Sequence, residues 1–391
     1  MRPSRVEKPL TLVVLQPTSL CNLNCTYCYV PGRLEAARMP DEILDAVFTK
    51  TLGSPLARSR RFEFLWHAGE PLTVGVEYFE KAVDKQKAAT RGEMPINAVQ
   101  TNGVLIDHRW TEFFKRNEFK VGISIDGPGF LHDAKRRKRG GQGSLKDALR
   151  GFHLLQDHGV EPAALAVLTR ESLDYPDEIF SFFLENDIWS FGFNVEEVEN
   201  QHTETSFGVR QGGTLPAWLR EKYRAFFSRL FDLWWPLRGF VSIREIHDVI
   251  HGIQWKLKDP SYQRQPDEST RLGIITIAKN GDMTTFSPEF AGAEVPEFNN
   301  FVVGNILSIK KLEDILSNST FRRLERLVER GRRCCAESCL YFDLCGSAFI
   351  SNRYFETGSI DRAESMACVL QRKIVSEVIL EKLKSPLLRA A

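Results

Sequence analysis

Six short β-rich runs alternate with helical patterns in the first half of the chain, and this alternation restricts the possible folds more than any other feature. The predicted strands are Thr11–Gln16, Arg61–Trp66, Ile96–Thr101, Phe119–Ile125, Ala163–Thr169 and Ser190–Val195. The predicted helices lie near 41–53, 75–90, 108–117, 144–158 and 175–186. Strands separated by helices pair in parallel through right-handed crossovers. The sequence therefore predicts an α/β fold, a partial (β/α)6 TIM barrel, whose chemistry belongs at the carboxyl ends of the strands.

Three cysteines lie on one loop just beyond the first predicted strand, in the stretch Cys21-Asn-Leu-Asn-Cys25-Thr-Tyr-Cys28. Their thiolates can gather around one metal centre, and both iron–sulfur clusters and zinc accept thiolate ligands. The next cysteine in the sequence is Cys334, so no fourth ligand lies nearby in the chain. A cluster held by three thiolates keeps one iron free to bind something else. A structural zinc loop with a distant fourth ligand is the alternative.

The remaining cysteines form a second group, which consists of Cys334, Cys335, Cys339, Cys345 and Cys368. A secreted disulfide framework spreads its cysteines more evenly, so two separate groups favour metal sites in a reducing compartment. The net charge of +1 gives no sign of a nucleic-acid or membrane surface, and no apolar run is long enough to span a bilayer. We therefore expect a cytoplasmic protein with neither nucleic acid nor membrane as a partner.

Polar motifs follow the second and fourth predicted strands. The first reads Trp66-His-Ala-Gly-Glu-Pro71 and the second Ile123-Ser-Ile-Asp-Gly-Pro128. Ser124 and Asp126 are two residues apart on a strand, so their side chains share a face of the sheet. The first motif can alternatively be a Gly-Pro turn with a solvated glutamate.

The stretch His132–Gly140 is the densest run of charge in the chain. Such a run is usually a solvated loop, although its cations could attract an acidic segment of a substrate. We interpret His67 and His132 as structural histidines rather than metal ligands.

The second half of the chain predicts a different organisation. Residues 201–213 indicate a linker or lid, and a helical, aromatic-rich region follows. Apolar runs on either side of Asn280-Gly281 are typical of a β-hairpin. A helix near 309–330 then leads to the second cysteine group. We predict a core over 1–200, a helical bridging region over 201–265 and a cysteine-bearing domain over 266–391.

The cysteine loop, with its aromatic residue before the third cysteine, resembles the signature of the radical S-adenosylmethionine (SAM) enzymes. The resemblance implies that Cys21, Cys25 and Cys28 hold a [4Fe-4S] cluster whose free iron binds SAM. It also implies SAM-binding roles for Tyr27, Gly69, Glu70, Ser124, Asp126 and Arg136. In that family a Gly-Gly-Glu-Pro motif receives the methionine ammonium group, and in this chain Ala68 replaces its first glycine.

The hairpin, the helix and the second cysteine group resemble the C-terminal SPASM or twitch extension of radical SAM peptide maturases, which carries auxiliary clusters. The resemblance implies four ligands for an auxiliary [4Fe-4S] cluster: Cys335, Cys339, Cys345 and Cys368. The usual array holds two auxiliary clusters, but Phe349 replaces one further cysteine and the segment Phe286–Phe290 lacks another. Both missing ligands belong to the same cluster. We therefore expect one auxiliary cluster and a spare Cys334.

Within these maturases, the chain resembles the branch that forms cyclophanes by three-residue cross-linking. The features are Leu15-Gln-Pro-Thr-Ser-Leu-Cys21, Phe286-Ser-Pro-Glu289, Cys339-Leu-Tyr-Phe-Asp-Leu-Cys345 and Asn352-Arg-Tyr-Phe-Glu-Thr-Gly358. The resemblance implies a ribosomally made precursor peptide as substrate and a reductant such as flavodoxin or ferredoxin. A SAM-derived radical takes a β-hydrogen, and the resulting carbon radical bonds to an aromatic ring.

Glu289 falls where related sulfatase maturases carry their catalytic aspartate, so it is the predicted base that removes the ring proton. It could alternatively be an ordinary turn glutamate. An anaerobic sulfatase maturase, which forms formylglycine from Cys or Ser, is the enzymatic alternative for the whole chain. A zinc-stabilised binding protein without catalysis is the alternative from another class.

Overall fold

The structure is a computed structural model that describes residues 10–57, 62–90 and 94–384. The strands are β1 (Leu12–Leu15), β2 (Glu63–Trp66), β3 (Ile96–Thr101), β4 (Lys120–Ser124), β5 (Ala163–Leu168), β6 (Ser190–Val195), β7 (Ser242–Ile243), β8 (Ile274–Ile277), β9 (Asp282–Thr285) and β10 (Gly304–Asn305). The helices are α1 (Asp41–Leu52), α2 (Val76–Ala89), α3 (His108–Arg116), α4 (Gly129–Lys135), α5 (Leu145–Asp157), α6 (Pro176–Glu185), α7 (Ala217–Trp234), α8 (Arg244–Lys258), α9 (Ser319–Ser338), α10 (Phe342–Cys345), α11 (Ile350–Thr357), α12 (Met366–Cys368) and α13 (Val375–Lys384). A π-helical turn over Val369–Ile374 joins α12 to α13.

The described strands form one sheet in the order β10-β9-β8-β1-β2-β3-β4-β5-β6-β7. Neighbouring strands from β1 to β7 are parallel and follow the order of the chain, as in a βα barrel. The other edge of β1 pairs with β8, also in parallel, and β9 and β10 continue the sheet as antiparallel strands. The α/β prediction with a partial barrel is confirmed, and β8 occupies the edge at which a complete barrel would close.

The six predicted strands agree with β1 to β6 to within about two residues, although Arg61 lies outside the described residues. Aromatic side chains hold the helices of the barrel onto the sheet. The Phe79 ring of α2 lies 4.7 Å from the Trp66 ring of β2 and 5.2 Å from the Trp110 ring of α3, measured between centroids. Each fully buried ring of this kind stabilises the fold by about 1.5–3 kcal/mol.

The charge run His132–Gly140 is a solvated loop only in its second half, where Arg137, Arg139 and Gly140 are exposed. Its first residues complete α4, which the sequence analysis missed, and the His132 side chain is fully buried. His132 Nδ1 accepts a hydrogen bond from the backbone nitrogen of Asp126 at 3.2 Å, and its Nε2 lies 3.0 Å from Ser144 Oγ. Burial lowers the pKa of His132 to about 4, so this residue is a neutral structural histidine.

The helix predicted near 309–330 has the wrong bounds. A short 3-10 helix, Leu312–Ser317, comes first, and α9 then begins after Asn318, whose side chain accepts from the backbone nitrogen of Phe321 at 3.1 Å. This cap fixes the start of the helix. The helix continues to Ser338, so Cys334 and Cys335 lie on it.

The three predicted domains remain a prediction, although one sheet contains strands from all three, with β7 in the predicted helical bridging region. Helix α13 of the third packs against α7 and α8 of the second. No helix in the described ranges has the length and apolar character needed to cross a bilayer.

Candidate active site

The cysteine loop leaves the carboxyl end of β1, and Cys21, Cys25 and Cys28 are all half-buried on it. Burial raises the pKa of Cys21 to about 12, with smaller contributions from Glu70 and from the other two thiols. Burial also raises the pKa of Cys25 to about 11, and Cys28 adds to this shift. The three thiols are therefore close enough to repel one another as thiolates. A bound metal centre removes this cost because it stabilises the deprotonated form.

Asp126 ties the cysteine loop to the end of β4. Its Oδ2 accepts hydrogen bonds from the Tyr27 hydroxyl and from Arg136 Nε, the latter at 3.0 Å. Its Oδ1 accepts from the backbone nitrogen of Val167 at 2.9 Å. The Arg136 guanidinium also lies 5.3 Å from the centre of the Tyr27 ring. The structure thus brings together Tyr27, Asp126 and Arg136, three residues with predicted SAM-binding roles. The buried carboxylate of Asp126 anchors the side chains of Tyr27 and Arg136.

Glu70 ties the second motif to the end of β3. Its Oε1 accepts from Leu72 N at 3.0 Å and from Thr101 Oγ1 at 2.7 Å, and its Oε2 accepts from Asn102 N at 2.7 Å. Burial raises the pKa of this carboxyl group. A carboxylate has about four acceptor positions, so protein donors already fill most of them. Glu70 is therefore an anchor of the site in addition to its predicted contact with the SAM ammonium group.

Gly69 lies where the second motif touches the cysteine loop. Its φ is +58°, and a Cβ added here would lie 2.7 Å from the carbonyl oxygen of Leu20. Any larger residue would clash with the loop backbone or distort it. His67 in the same motif is half-buried, and burial lowers its pKa to about 4.

The sequence analysis missed Asn102, which contacts the cysteine loop directly. Its Nδ2 donates to Asn22 Oδ1 at 2.7 Å and lies 3.9 Å from Cys21 Sγ. Its position after the third predicted strand, beyond Thr101, could have identified it. Ser124 on β4 makes a different contact, since its Oγ accepts from Gln100 Nε2 at 3.1 Å.

A hydrogen-bonded chain of two carboxyl and two hydroxyl groups joins the hairpin segment to the end of β6. Ser287 Oγ lies 2.5 Å from Glu289 Oε2 and 2.9 Å from Ser351 Oγ, and Ser351 Oγ donates to Glu199 Oε1 at 2.7 Å. Burial raises the pKa of both glutamates. Glu197, two residues before Glu199, has its pKa raised to about 8 by burial and by Glu289. The sequence analysis missed Glu197 and Glu199, which follow the sixth predicted strand.

The second cysteine group is largely buried. Cys335, Cys345 and Cys368 are buried, Cys339 is half-buried, and Cys334 is exposed. Burial raises the pKa of Cys335, and Cys345 and Cys339 add to the shift. Burial also raises the pKa of Cys368 to about 12, with contributions from Cys345 and Cys335. The four predicted ligands of the auxiliary cluster therefore lie near one another, and the exposed thiol is the predicted spare.

Arg353 on α11 reaches into this cysteine group and is only 1 % exposed. Its Nη2 donates to Cys335 Sγ at 3.4 Å, to Ser347 Oγ at 2.8 Å and to the carbonyl oxygen of Ala348 at 3.0 Å. Within the described residues, its Nε and Nη1 have no hydrogen-bond partner. A buried cation is costly unless an anion lies beside it. Four cluster thiolates would supply that anion, so the residues present fit an auxiliary cluster.

Among the described residues, no three His, Cys, Asp or Glu side chains are arranged to chelate a single metal ion.

The sequence of this chain is similar to those of several known proteins. Residues 15–183 match the family described as the Radical SAM superfamily. An uncharacterized protein of Synechocystis sp. is 36% identical over 97% of this chain and 93% of its own length. The serine-type anaerobic sulfatase-maturating enzyme of Bacteroides thetaiotaomicron is 32% identical over 92% of this chain and 87% of its own length.

Two solved structures share the fold over most of the chain. The structure of anSMEcpe with bound AdoMet and Kp18Cys peptide matches with a TM-score of 0.76 and 23% identity, over 98% of this chain and 100% of that one. Streptococcus suis SuiB bound to precursor peptide SuiA matches with a TM-score of 0.63 and 15% identity, over 92% of this chain and 76% of that one. At these identities the likeness establishes the fold.

Proposed function

The chain belongs to the radical SAM superfamily, and on that premise we propose that it is a peptide maturase that forms a carbon–carbon cross-link to an aromatic side chain. Members of this superfamily are enzymes that use SAM and a [4Fe-4S] cluster. The observation that carries the finer proposal is the set of Cys335, Cys339, Cys345 and Cys368, of which Cys335 contacts Arg353, with Phe349 where a further ligand would stand. This set provides for one auxiliary cluster.

Some residues of the site bind the cofactors directly, and others hold those residues in position. Cys21, Cys25 and Cys28 hold the first cluster, which together with bound SAM supplies a 5′-deoxyadenosyl radical able to abstract a hydrogen atom. Tyr27 and Arg136 would contact bound SAM from the positions in which Asp126 holds them. The SAM-facing groups of the other strands are Gly69, Glu70 and Ser124.

Glu289 is the proposed base for the proton that leaves the aromatic ring. A base works best when its pKa lies near the working pH, and burial moves the pKa of Glu289 in that direction. The hydroxyl groups of Ser287 and Ser351 connect Glu289 to Glu199, so a proton accepted at one carboxylate can move to the other. This connection gives Glu289 a route by which it can be deprotonated again.

The proposed partners are a ribosomally made precursor peptide and a small reductant such as flavodoxin or ferredoxin, and the proposed compartment is the cytoplasm. Two observations support a peptide substrate. SuiB is a neighbour in fold that binds precursor peptide SuiA, and anSMEcpe is one that binds the Kp18Cys peptide.

Formylglycine formation is the second candidate function, and the 32% identity to the serine-type sulfatase-maturating enzyme favours it. Both reactions begin with hydrogen abstraction at a β-carbon and need a base. They differ in the product, because one forms a carbon–carbon bond and the other an aldehyde.

The test offers the reconstituted enzyme two substrates, with SAM and a reductant. One is a candidate precursor peptide taken from the reading frames that neighbour the gene, and the other is a sulfatase-derived peptide that contains Ser or Cys. Serine oxidation and cross-linking both remove two hydrogens, so mass alone does not separate them. Two further measurements separate them. A hydrazine reagent captures an aldehyde, and fragmentation of the peptide maps a new carbon–carbon bond. An aldehyde without a cross-link would establish the second candidate in place of the first.

A further inference from the structure

Arg353 is held in an unusual position for a guanidinium group. It is almost fully buried, and no described carboxylate forms an ion pair with it. Leaving a buried charge without a partner is strongly destabilising, so a sequence retains such a charge only where something balances it. The groups that face Arg353 most directly are the Cys335 thiol, the Ser347 hydroxyl and the Ala348 carbonyl.

The surrounding backbone is shaped to hold the guanidinium in place. Ser347 and Phe349 adopt φ values of +74° and +65°, which non-glycine residues rarely do. This costly conformation places two of the acceptors of Arg353 Nη2 on the same short turn. On the other side, a Cβ added to Gly331 of α9 would lie 2.8 Å from Arg353 Nη1. The turn and the glycine together fix Arg353 against the cysteine group.

Lys373 is a second cation beside the cysteine group. Like Arg353 it lowers the pKa of Cys368, and its effect on that thiol is the larger of the two. Lys373 also forms an ion pair with Glu364 and retains 22% of its side-chain exposure. Glu364 and solvent therefore balance part of the charge of Lys373, whereas no described carboxylate balances that of Arg353.

We propose that Arg353 sets the reduction potential of the auxiliary cluster. A cluster bound by four thiolates is anionic, and it becomes more so when it is reduced. A fixed buried cation stabilises the reduced form more than the oxidised form, which raises the potential. Arg353 is thus a positioning and charge-compensating residue, and it makes the auxiliary cluster a better electron acceptor than the same four cysteines would alone.

This inference rests on the auxiliary cluster of the proposed function but not on the nature of the product. The cross-linking reaction and formylglycine formation both remove electrons from the substrate. The potential of the cluster can be measured without any peptide, so a failure of the cross-linking proposal leaves this test intact.

The experiment is a redox titration of the anaerobically reconstituted full-length protein, followed by electron paramagnetic resonance. The variants are Arg353→Gln and Arg353→Met, which remove the charge, and Arg353→Lys, which keeps it. The matched control is Arg330→Gln, which removes an exposed arginine that pairs with Asp361. In the neutral variants we expect the auxiliary cluster to become harder to reduce by at least tenfold in equilibrium constant, about 59 mV for a one-electron couple. Arg353→Lys and Arg330→Gln should change this constant several-fold less, and the signal of the first cluster should not move.

Iron and sulfide counts complete the design. A neutral variant that carries both clusters with an unchanged auxiliary potential would overturn the proposal. If the neutral variants lose the auxiliary cluster while Arg353→Lys retains it, the cluster requires the positive charge, which supports the proposal. Loss of the cluster in all three variants would show that the shape of arginine matters rather than its charge, and would overturn it.

Discussion

Arg136 Nε lies 3.0 Å from Asp126 Oδ2, and the same oxygen accepts the hydroxyl of Tyr27. Both charged side chains of this pair are buried, so the pair differs from the many exposed ion pairs of the chain. The Asp126 carboxylate therefore has two roles. It neutralises the charge of Arg136, and it positions Tyr27 of the cysteine loop.

Replacing Asp126 with Asn should leave Arg136 as a buried cation without a counter-charge. Breaking a buried pair in this way destabilises a protein by about 3–5 kcal/mol. We expect a loss of this size in denaturant unfolding and a severe loss of SAM cleavage. Asp147→Asn is the control, because its pair with Lys138 is partly exposed and should contribute about 0–1 kcal/mol. Equal effects of the two substitutions would contradict the anchoring role of Asp126.

The triple variant in which Cys21, Cys25 and Cys28 become Ala should lose one [4Fe-4S] cluster and all SAM cleavage. The physical reason is the loss of every thiolate on the loop. Iron and sulfide analysis and chromatography of deoxyadenosine give the two readouts. Deoxyadenosine production close to that of the unaltered enzyme would rule out this loop as the site of radical formation.

Single Ala substitutions should separate the members of the second cysteine group. Those at Cys335, Cys339, Cys345 or Cys368 should each reduce the iron content by up to one cluster, while SAM cleavage continues. Cys334→Ala is the control, since this thiol is exposed and adjoins Cys335 without sharing its burial. Iron counting with Mössbauer spectroscopy is the measurement. A third cluster in the unaltered protein, or zinc without sulfide, would contradict the assignment.

Glu289→Gln keeps the shape of the side chain but cannot accept a proton. The variant should still cleave SAM and take deuterium from the β-carbon into deoxyadenosine, yet form less than about a hundredth of the cross-linked peptide, the lower end of the effect of a general base. Deuterium on the aromatic ring should wash into water in the unaltered enzyme. Glu294→Gln, at an exposed position of the same segment, is the control. Cross-linking at the normal rate would show that another group is the base.

The pH dependence follows from the direction of the pKa shift. Burial raises the pKa of Glu289 above 4.5, so its basic form is present at high pH and is lost as the pH falls through the raised value. The yield of product per deoxyadenosine should therefore fall on acidification before an ordinary glutamate would titrate. Ser287→Ala removes a hydrogen bond that lowers this pKa, so it should move the inflection to higher pH. Ser317→Ala is an exposed control, and an unmoved inflection in the Ser287 variant would exclude Glu289 as the titrating group.

The strands of the barrel were predictable because each is a local run of apolar residues between clear helical patterns. Helix α4 was not predictable, because its charged sequence gives no sign that His132 is buried. The burial of His132 depends on contacts with Asp126 and with Ser144 of a later segment. The extent of α9 was also missed, since its arginine-rich pattern gives little sign of where the helix ends.

The residues of the candidate site also fall into two kinds. Some are recognisable from their neighbours in the sequence, and others only from contacts with residues far away in the chain. The cysteine spacing indicates ligands because these residues are neighbours in the chain. Glu199 and Arg353 gain their roles only through contacts with residues far away in sequence, such as Ser351 and Cys335. No local pattern distinguishes them from ordinary charged residues. The same holds for Asn102, whose amide meets the cysteine loop across 80 residues of chain.

Strand β1 has two parallel neighbours, β2 and β8, and the second of these begins at Ile274. On the ribosome, β1 is made before β8, so one edge of the strand that carries the cysteine loop stays unpaired until Ile274–Ile277 has been synthesised. An open strand edge can pair with other chains, and contacts of such long sequence separation form slowly. The pairing that completes the sheet beside the cysteine loop is therefore a contact that we expect to form late in folding.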